Sequence, residues 1–297
     1  MTTTTNGVTR GEVRAHGLVA TLCTPPGGPA PGVLLLGGSE GGRHANDAAL
    51  LASHGFAVLA LAYFGEPGVS RGLVRVPLEY FGTALRFMAE HESVRGRRCA
   101  VMGGSFGGVA ALLIGATFPA VSAVVSIAGG GVLPQGIDPD GDFWHIIDTE
   151  VPPFTWRGEP LPFIANPSTP EMHRQAAAGE PVALRPAFEQ GMRDEARLAA
   201  ATVAVERIQG PVLLISGGDD QQFPAEALSD IALARLADGR HLRFPEAGHG
   251  ICVPPTHPMT DTDEPGPGVR LALGGKPTAT VAAQQAAWSA AVEFLSR

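Results

Sequence analysis

The sequence predicts an α/β fold with a mostly parallel, doubly wound sheet flanked by helices. Apolar runs and helical segments alternate along the first half of the chain, and this order is typical of parallel sheets. Two of the runs, residues 32–36 and 57–62, contain no polar residue, as expected of strands buried on both faces. The 297 residues can bury a large core. We therefore expect one domain over residues 13–297, after a disordered tail over residues 1–12.

The other elements follow from the same reasoning, in chain order. Residues 13–24 alternate loosely between apolar and polar positions and predict one or two opening strands. A helix is expected over residues 46–54, with Gly55 as its C-terminal cap, and another over residues 77–90, with proline at its start. The later predictions are strands over 99–102, 121–127, 211–216 and 241–244, helices after residue 105 and over 225–236 and 279–295, and a proline-rich loop over 254–268.

The regular alternation stops between about residues 130 and 190. This segment is rich in proline, glycine and aromatic residues. Long irregular segments between strands often form lids or binding loops. We expect either a lid-like insertion that shapes a pocket or an ordered surface excursion without a role.

Composition and charge exclude several classes of protein. The net charge is −8, and the only basic cluster, residues 95–98, reads as a solvated turn, so no nucleic-acid partner is expected. Residues 1–11 lack the apolar segment of a signal peptide, and no run of 18 apolar residues predicts a membrane span. We expect a cytoplasmic protein.

The three cysteines, Cys23, Cys99 and Cys252, are far apart along the chain. Their number and spacing indicate neither a disulfide framework nor a zinc site, and Cys99 is expected to be a buried, inert thiol. No spacing of histidine, cysteine and aspartate residues in the sequence suits a metal ion, so we expect no metal and no cofactor.

A glycine-bracketed serine follows the predicted strand at 99–102. Gly103-x-Ser105-x-Gly107, between a strand and an Ala/Leu-rich helix, is typical of the nucleophile elbow of α/β-hydrolases. The motif alone is weak, because 39 residues are glycine and Gly37-x-Ser39-x-Gly41 matches it too. Ser105 is followed at once by a good helix and Ser39 is not, so we predict Ser105 as the nucleophile.

An elbow serine needs a base and an acid, which follow it along the chain in this fold. Asp220 follows one later strand and His249 follows the last, and the loops after parallel strands gather at one edge of the sheet. We predict a triad of Ser105, His249 and Asp220. Asp219 is the alternative acid and His257 the next-best base, and Asp220 could instead cap the following helix.

The N–H groups of Ser39 and Phe106 are the expected oxyanion hole. Ser39 follows an earlier strand and Phe106 follows the nucleophile, where this fold places such donors. Glu40 could touch the substrate or be solvated, and His44 and His145 could line the pocket.

Four further stretches make the chain resemble a known family, the C-terminal catalytic domain of the acyl-CoA thioesterase / bile acid-CoA:amino acid N-acyltransferase family, which is itself similar to dienelactone hydrolase. The stretches are LLASHGFAVLALAYF at 50–64 with LEYFGTAL at 78–85, VERIQGPVLLISGGDDQ at 205–221, GHGICVPP at 248–255 and GGKPTATVAAQQAAW at 274–288.

The resemblance implies hydrolysis or transfer of an acyl group from a thioester, with the family triad at Ser105, Asp220 and His249. Some members use cysteine as nucleophile and pass the acyl group to an amine, so serine here favours hydrolysis. Full-length members carry an N-terminal β-sandwich, whereas residues 1–30 alone precede the first matched strand. The expected partner is a small-molecule acyl thioester, of CoA or a carrier protein, or an ester or lactone. A homodimer is possible.

Overall fold

The structure, a computed structural model, describes residues 2–5, 7–266 and 269–297. Its strands are β1 (Thr2–Thr5), β2 (Val8–Val13), β3 (Val19–Thr24), β4 (Ala30–Leu36), β5 (Ala57–Ala62), β6 (Val76–Pro77), β7 (Val94–Gly104), β8 (Val121–Ile127), β9 (Phe154–Trp156), β10 (Glu159–Pro160), β11 (Val212–Gly217), β12 (Gly239–Phe244), β13 (Thr262–Gly266) and β14 (Val269–Ala272). Its α-helices are α1 (Ala45–Ser53), α2 (Leu78–Glu90), α3 (Phe106–Thr117), α4 (Phe143–Asp148), α5 (Pro170–Ala177), α6 (Arg185–Gly191), α7 (Glu195–Ala201), α8 (Ala225–Leu233) and α9 (Pro277–Leu295).

A nine-stranded sheet organises the chain, in the order β1-β2-β3-β5-β4-β7-β8-β11-β12. The six strands from β5 to β12 pair in parallel, and β3, β2 and β1 extend one edge by antiparallel pairing. This arrangement confirms the predicted α/β class with a mostly parallel sheet. It also brings the carboxyl ends of β4, β7, β8, β11 and β12 to one edge, where ligands bind in open sheets of this kind.

The central strands are apolar because both faces of the sheet are covered. Every residue of β5 and of β11 is buried. Helix α1 packs on β3 and β5, α3 on β7 and β8, and α8 and α9 on β11. The sheet is therefore a rigid platform from which the loops at its carboxyl edge project.

Residues 2–5 and 8–13 differ from the predicted disordered tail. β1 and β2 form a hairpin that pairs with β3, and Val8 and Val13 are buried. The sequence prediction fails there because β3 offers unpaired backbone groups to β2, and the free edge of β2 then pairs with the threonine-rich β1. The proposed division into one domain over residues 13–297 stays a prediction.

The segment predicted as an insertion contains short, packed elements. It holds α4, β9, β10, α5 and α6, and β9 pairs with β6 from before α2. The predicted proline-rich loop over 254–268 contains β13, which pairs with β14, and its last two residues lie outside the described part of the chain. Local composition does not predict β9 or β13, because the strands that pair with them, β6 and β14, carry few strand signals.

The helices that the structure describes are each too short or too polar to cross a membrane.

Candidate active site

Ser105 stands alone between β7 and α3, in a strained backbone conformation. Its φ is +53° and its ψ −127°, a combination that residues with side chains rarely adopt. Its N–H donates to the carbonyl of Ile127 on the neighbouring strand over 2.8 Å. Strain of this kind persists only where the surrounding structure enforces it, and it is concentrated at functional sites. The turn has the strand-to-helix form that the Gly-x-Ser-x-Gly spacing predicts.

Two glycines permit this tight turn. A β-carbon at position 103 would lie 2.2 Å from the carbonyl oxygen of Gly107. One at position 107 would lie 2.4 Å from the carbonyl oxygen of Gly37, which directly follows the neighbouring strand β4. Both positions therefore require glycine, because β7, α3 and the loop after β4 meet without room for a side chain.

The three residues predicted as nucleophile, base and acid lie in hydrogen-bond contact. Ser105 Oγ and His249 Nε2 are 2.9 Å apart, and His249 Nδ1 and Asp220 Oδ2 are 2.8 Å apart. A carboxylate can only accept, so His249 donates from Nδ1 and presents Nε2 as the acceptor for the serine proton. Residues 105, 220 and 249 come from three separate loops at the carboxyl edge of the sheet.

Asp220 is fully buried, and its second oxygen is also satisfied. Oδ1 accepts from the backbone N–H groups of Gln222 and Phe223, each over 2.9 Å. Burial by itself lowers the pKa of His249, but the charge and hydrogen bond of Asp220 outweigh it and leave that pKa raised. This arrangement stabilises an imidazolium formed when His249 takes a proton.

The alternative acid and base lie elsewhere. The Asp219 carboxylate accepts from Gln221 Nε2 and from the N–H of Gly275, so it fixes a loop. His257 Nε2 lies 2.8 Å from Asp47. Helix α8 begins five residues after Asp220, with Pro224 as its N-terminal cap, so Asp220 holds the preceding turn rather than the helix itself.

The loop that carries Ser39 lies against Ser105. A β-carbon at Gly38 would lie 3.2 Å from the β-carbon of Ser105. Among the described residues, no acceptor is hydrogen-bonded to the N–H of Ser39 or to that of Phe106, which opens α3. Both amides are thus free to donate, and their role as an oxyanion hole stays a prediction.

Sequence reasoning missed a hydrogen-bonded chain beside this loop. Glu40 contacts His44, His44 contacts Asp47, and Asp47 contacts His257. A weak signal was available, since His44 and Asp47 stand three residues apart where a helix begins. The contact between Asp47 and His257 joins residues 210 apart in sequence, for which one sequence holds no local signal. His145, the other suggested pocket residue, lies on α4, capped by Asp142.

The predicted insertion reaches the residue after Ser105 through Phe154. This side chain is fully buried, and its ring lies 6.1 Å from that of Phe106, the residue after Ser105. It also packs against Phe81 and Tyr63, whose hydroxyl donates to the carbonyl of Gly37 over 2.8 Å. The insertion therefore supports the elbow and the loop after β4 from one side.

Known proteins are similar to this chain in sequence. The chain is 32% identical to acyl-coenzyme A thioesterase 6 of Homo sapiens, over 98% of this chain and 66% of the relative. It is also 32% identical to acyl-coenzyme A amino acid N-acyltransferase 2 of Rattus norvegicus, over 97% of this chain and 65% of the relative. The chain thus spans about two thirds of the length of these curated relatives.

Solved structures show the same fold at lower identity. Dienelactone hydrolase from Anabaena variabilis superposes with a TM-score of 0.51 at 17% identity, covering 97% of each chain.

Residues 76–297 match the model of the family described as BAAT / Acyl-CoA thioester hydrolase C terminal. The matched residues include Ser105, His249, which contacts it, and Asp220, which contacts His249. The chain belongs to this family of acyl-CoA thioester hydrolase C-terminal domains, built on an α/β-hydrolase fold.

Proposed function

We propose that this protein is a serine hydrolase that cleaves an acyl thioester through an acyl-enzyme on Ser105. The observation that carries the proposal is the unbroken contact from Ser105 Oγ through His249 to Asp220, at 2.9 and 2.8 Å. Distances of this size suit proton transfer between a nucleophile and its base. The names of the curated relatives support an acyl thioester as the substrate class.

In the first step His249 takes the Ser105 proton at Nε2 while Oγ attacks the acyl carbon. Asp220 holds the imidazole in the reactive tautomer and stabilises its charged form. The N–H groups of Ser39 and Phe106 bind the oxyanion, for which one donor contributes about 3–4 kcal/mol. The C–S bond then breaks, and the imidazolium protonates the leaving thiolate.

In the second step a water molecule replaces the thiol. His249 takes a proton from this water as its oxygen attacks the acyl-enzyme carbonyl. Collapse of the second oxyanion breaks the bond to Ser105, which recovers its proton from His249, and the free acid leaves. The same residues thus serve both steps.

A second candidate is transfer of the acyl group to an amine. The amino acid N-acyltransferases among the relatives favour it. Serine at position 105 favours water as the acceptor, because an oxygen-ester intermediate reacts with amines much less readily than the thioester intermediate that a cysteine would form. Carboxylester or lactone cleavage by the same triad is the third candidate, supported by the fold shared with dienelactone hydrolase.

A fluorophosphonate probe and a paired panel of thioesters and oxoesters test the proposal. Wild-type protein should react with the probe and hydrolyse the thioester of a pair faster. Ser105→Ala should abolish both activities, whereas Ser39→Ala, which keeps the backbone N–H, should retain them. An unchanged rate in Ser105→Ala would refute the assignment. Product analysis with an amino acid such as glycine present separates hydrolysis from transfer.

A cytoplasmic location and a homodimer complete the proposal. One curated relative is named a peroxisomal succinyl-coenzyme A thioesterase, so location is tested by fractionation of the native cells. Sedimentation of the purified chain tests the oligomeric state.

A further inference from the structure

The loop that carries Ser39 holds a carboxylate close to the nucleophile. A β-carbon at Gly38 would lie 2.8 Å from Glu40 Oε2 and 3.2 Å from the β-carbon of Ser105, so the two side chains are near neighbours. Glu40 Oε1 accepts from the N–H of Gly38 over 2.9 Å. The side chain remains 57% exposed. Glu40 therefore fixes the loop, but it also brings negative charge to the place where an oxyanion would form.

His44 supplies the compensating charge. Its Nε2 lies 3.0 Å from Glu40 Oε1, and its Nδ1 lies 3.4 Å from Asp47 Oδ2. A carboxylate faces each ring nitrogen, and the carbonyl oxygen of Gly41 also lies 3.3 Å from Nε2. Because each ring nitrogen has an acceptor beside it, the form that fits is the doubly protonated imidazolium, which can donate from both. These hydrogen bonds, to Asp47 and to Glu40, raise the pKa of His44 to about 10. His44 is consequently a cation at neutral pH.

The position of this cation is enforced by its surroundings. The imidazole lies against the backbone of Gly37, where a β-carbon would be 2.1 Å from Nε2. Asp47 is 9% exposed and lies 2.8 Å from His257 Nε2, on the loop that follows His249. In the described part of the chain, no group of three or more such side chains is arranged to hold a metal ion. The chain of carboxylates and imidazoles is thus a polar network that joins the Ser39 loop to the His249 loop.

We propose that His44 is a positioning residue whose imidazolium neutralises Glu40, so that Glu40 can hold the Ser39 loop without opposing the oxyanion. This inference rests on the proposed function. An unpaired carboxylate a few ångströms from a developing negative charge raises the barrier substantially, even at the effective dielectric constant of a protein site. Asp47, supported by His257, keeps the imidazolium in place.

The test removes the charge of His44 alone and then together with that of Glu40, with p-nitrophenyl acetate as substrate. His44→Gln should lower kcat/KM about 10- to 100-fold, because Glu40 is left without its cation. Glu40→Gln with His44→Gln should recover to within about fivefold of wild type, since neither charge remains. The matched control is His54→Gln, because His44 and His54 flank the two ends of helix α1 and His54 is exposed. Its kcat/KM should equal that of wild type.

A transition-state analogue separates charge compensation from mere structural support. A phenyl trifluoromethyl ketone forms an oxyanion on the nucleophile, so its affinity should weaken in His44→Gln and recover in the double variant, in step with kcat/KM. Loss of folding would instead lower activity and melting temperature together in both variants. A double variant no more active than His44→Gln, or a His44→Gln variant as active as wild type, overturns the inference. Wild-type protein that neither reacts with a fluorophosphonate nor cleaves the ester overturns the proposed function as well, so the two failures are distinguishable.

Discussion

Replacing Asp220 by asparagine tests how the carboxylate controls the base. Oδ1 accepts from two backbone N–H groups and Oδ2 accepts from His249 Nδ1. An asparagine has one oxygen, and two donors outweigh one, so the oxygen should stay with the backbone. The amide nitrogen then faces His249 and donates to Nδ1. The imidazole is then held in the tautomer that carries its proton on Nε2. In that tautomer Nε2 cannot accept the proton of Ser105.

The expected loss is large because the base is misprotonated. The orienting carboxylate in a Ser-His-Asp triad is worth about 10⁴ in kcat, which corresponds to about 5.5 kcal/mol. The opposite amide orientation would leave two buried N–H groups facing a donor, at about 1–3 kcal/mol each, so the asparagine should not rescue itself by rotating.

The assay is steady-state hydrolysis of a thioester at pH 7, with melting temperature recorded for each variant. Asp219→Asn is the matched control, because its carboxylate binds Gln221 and Gly275 and not the base. It should keep kcat within about threefold, as expected for a site away from the reacting groups. Asp220→Asn that folds normally and retains more than a tenth of the wild-type kcat would refute the reasoning.

Three further predictions concern the elbow and the titrating histidines. Gly107→Ala should lower the free energy of unfolding by about 1–3 kcal/mol in urea, because its β-carbon would lie 2.4 Å from the Gly37 carbonyl oxygen; an unchanged midpoint contradicts this. The pKa of His249 is raised by Asp220 despite burial, so kcat/KM should rise with pH with a midpoint above 6.5; a midpoint at or below 6.5 disagrees. Burial lowers the pKa of His241, so the folded form binds fewer protons than the unfolded form and loses stability as pH falls below about 6.5. In His241→Gln the melting temperature should therefore fall less between pH 8 and pH 5 than in wild type. An equal fall in both proteins would argue against this.

The parallel core and the elbow could be predicted because their signals are local. β4, β5 and β11 are mostly apolar runs, and the glycine at 103 is imposed by a contact with Gly107, within a few residues of Ser105. Chain order and the common direction of parallel strands also predict that His249 and Asp220 lie near Ser105, and the three side chains are in contact through His249, while their catalytic roles stay a prediction.

The remaining features depend on contacts between distant segments. The His44–Asp47–His257 contacts join α1 to a loop near the C-terminal helix, and β1 and β2 form strands only because β3 has a free edge. Composition describes such segments as a polar tail or a proline-rich loop. Their structure is decided by partners that a single sequence does not identify.

Rapid quenching of the protein with a thioester substrate, followed by mass spectrometry of its peptides, tests the central claim most directly. The account predicts that one peptide, the one that contains Ser105, gains the mass of the acyl group and loses it again as substrate is exhausted. Absence of any acylated peptide during turnover, or an acyl group on Ser39 or Cys252 instead, would contradict it.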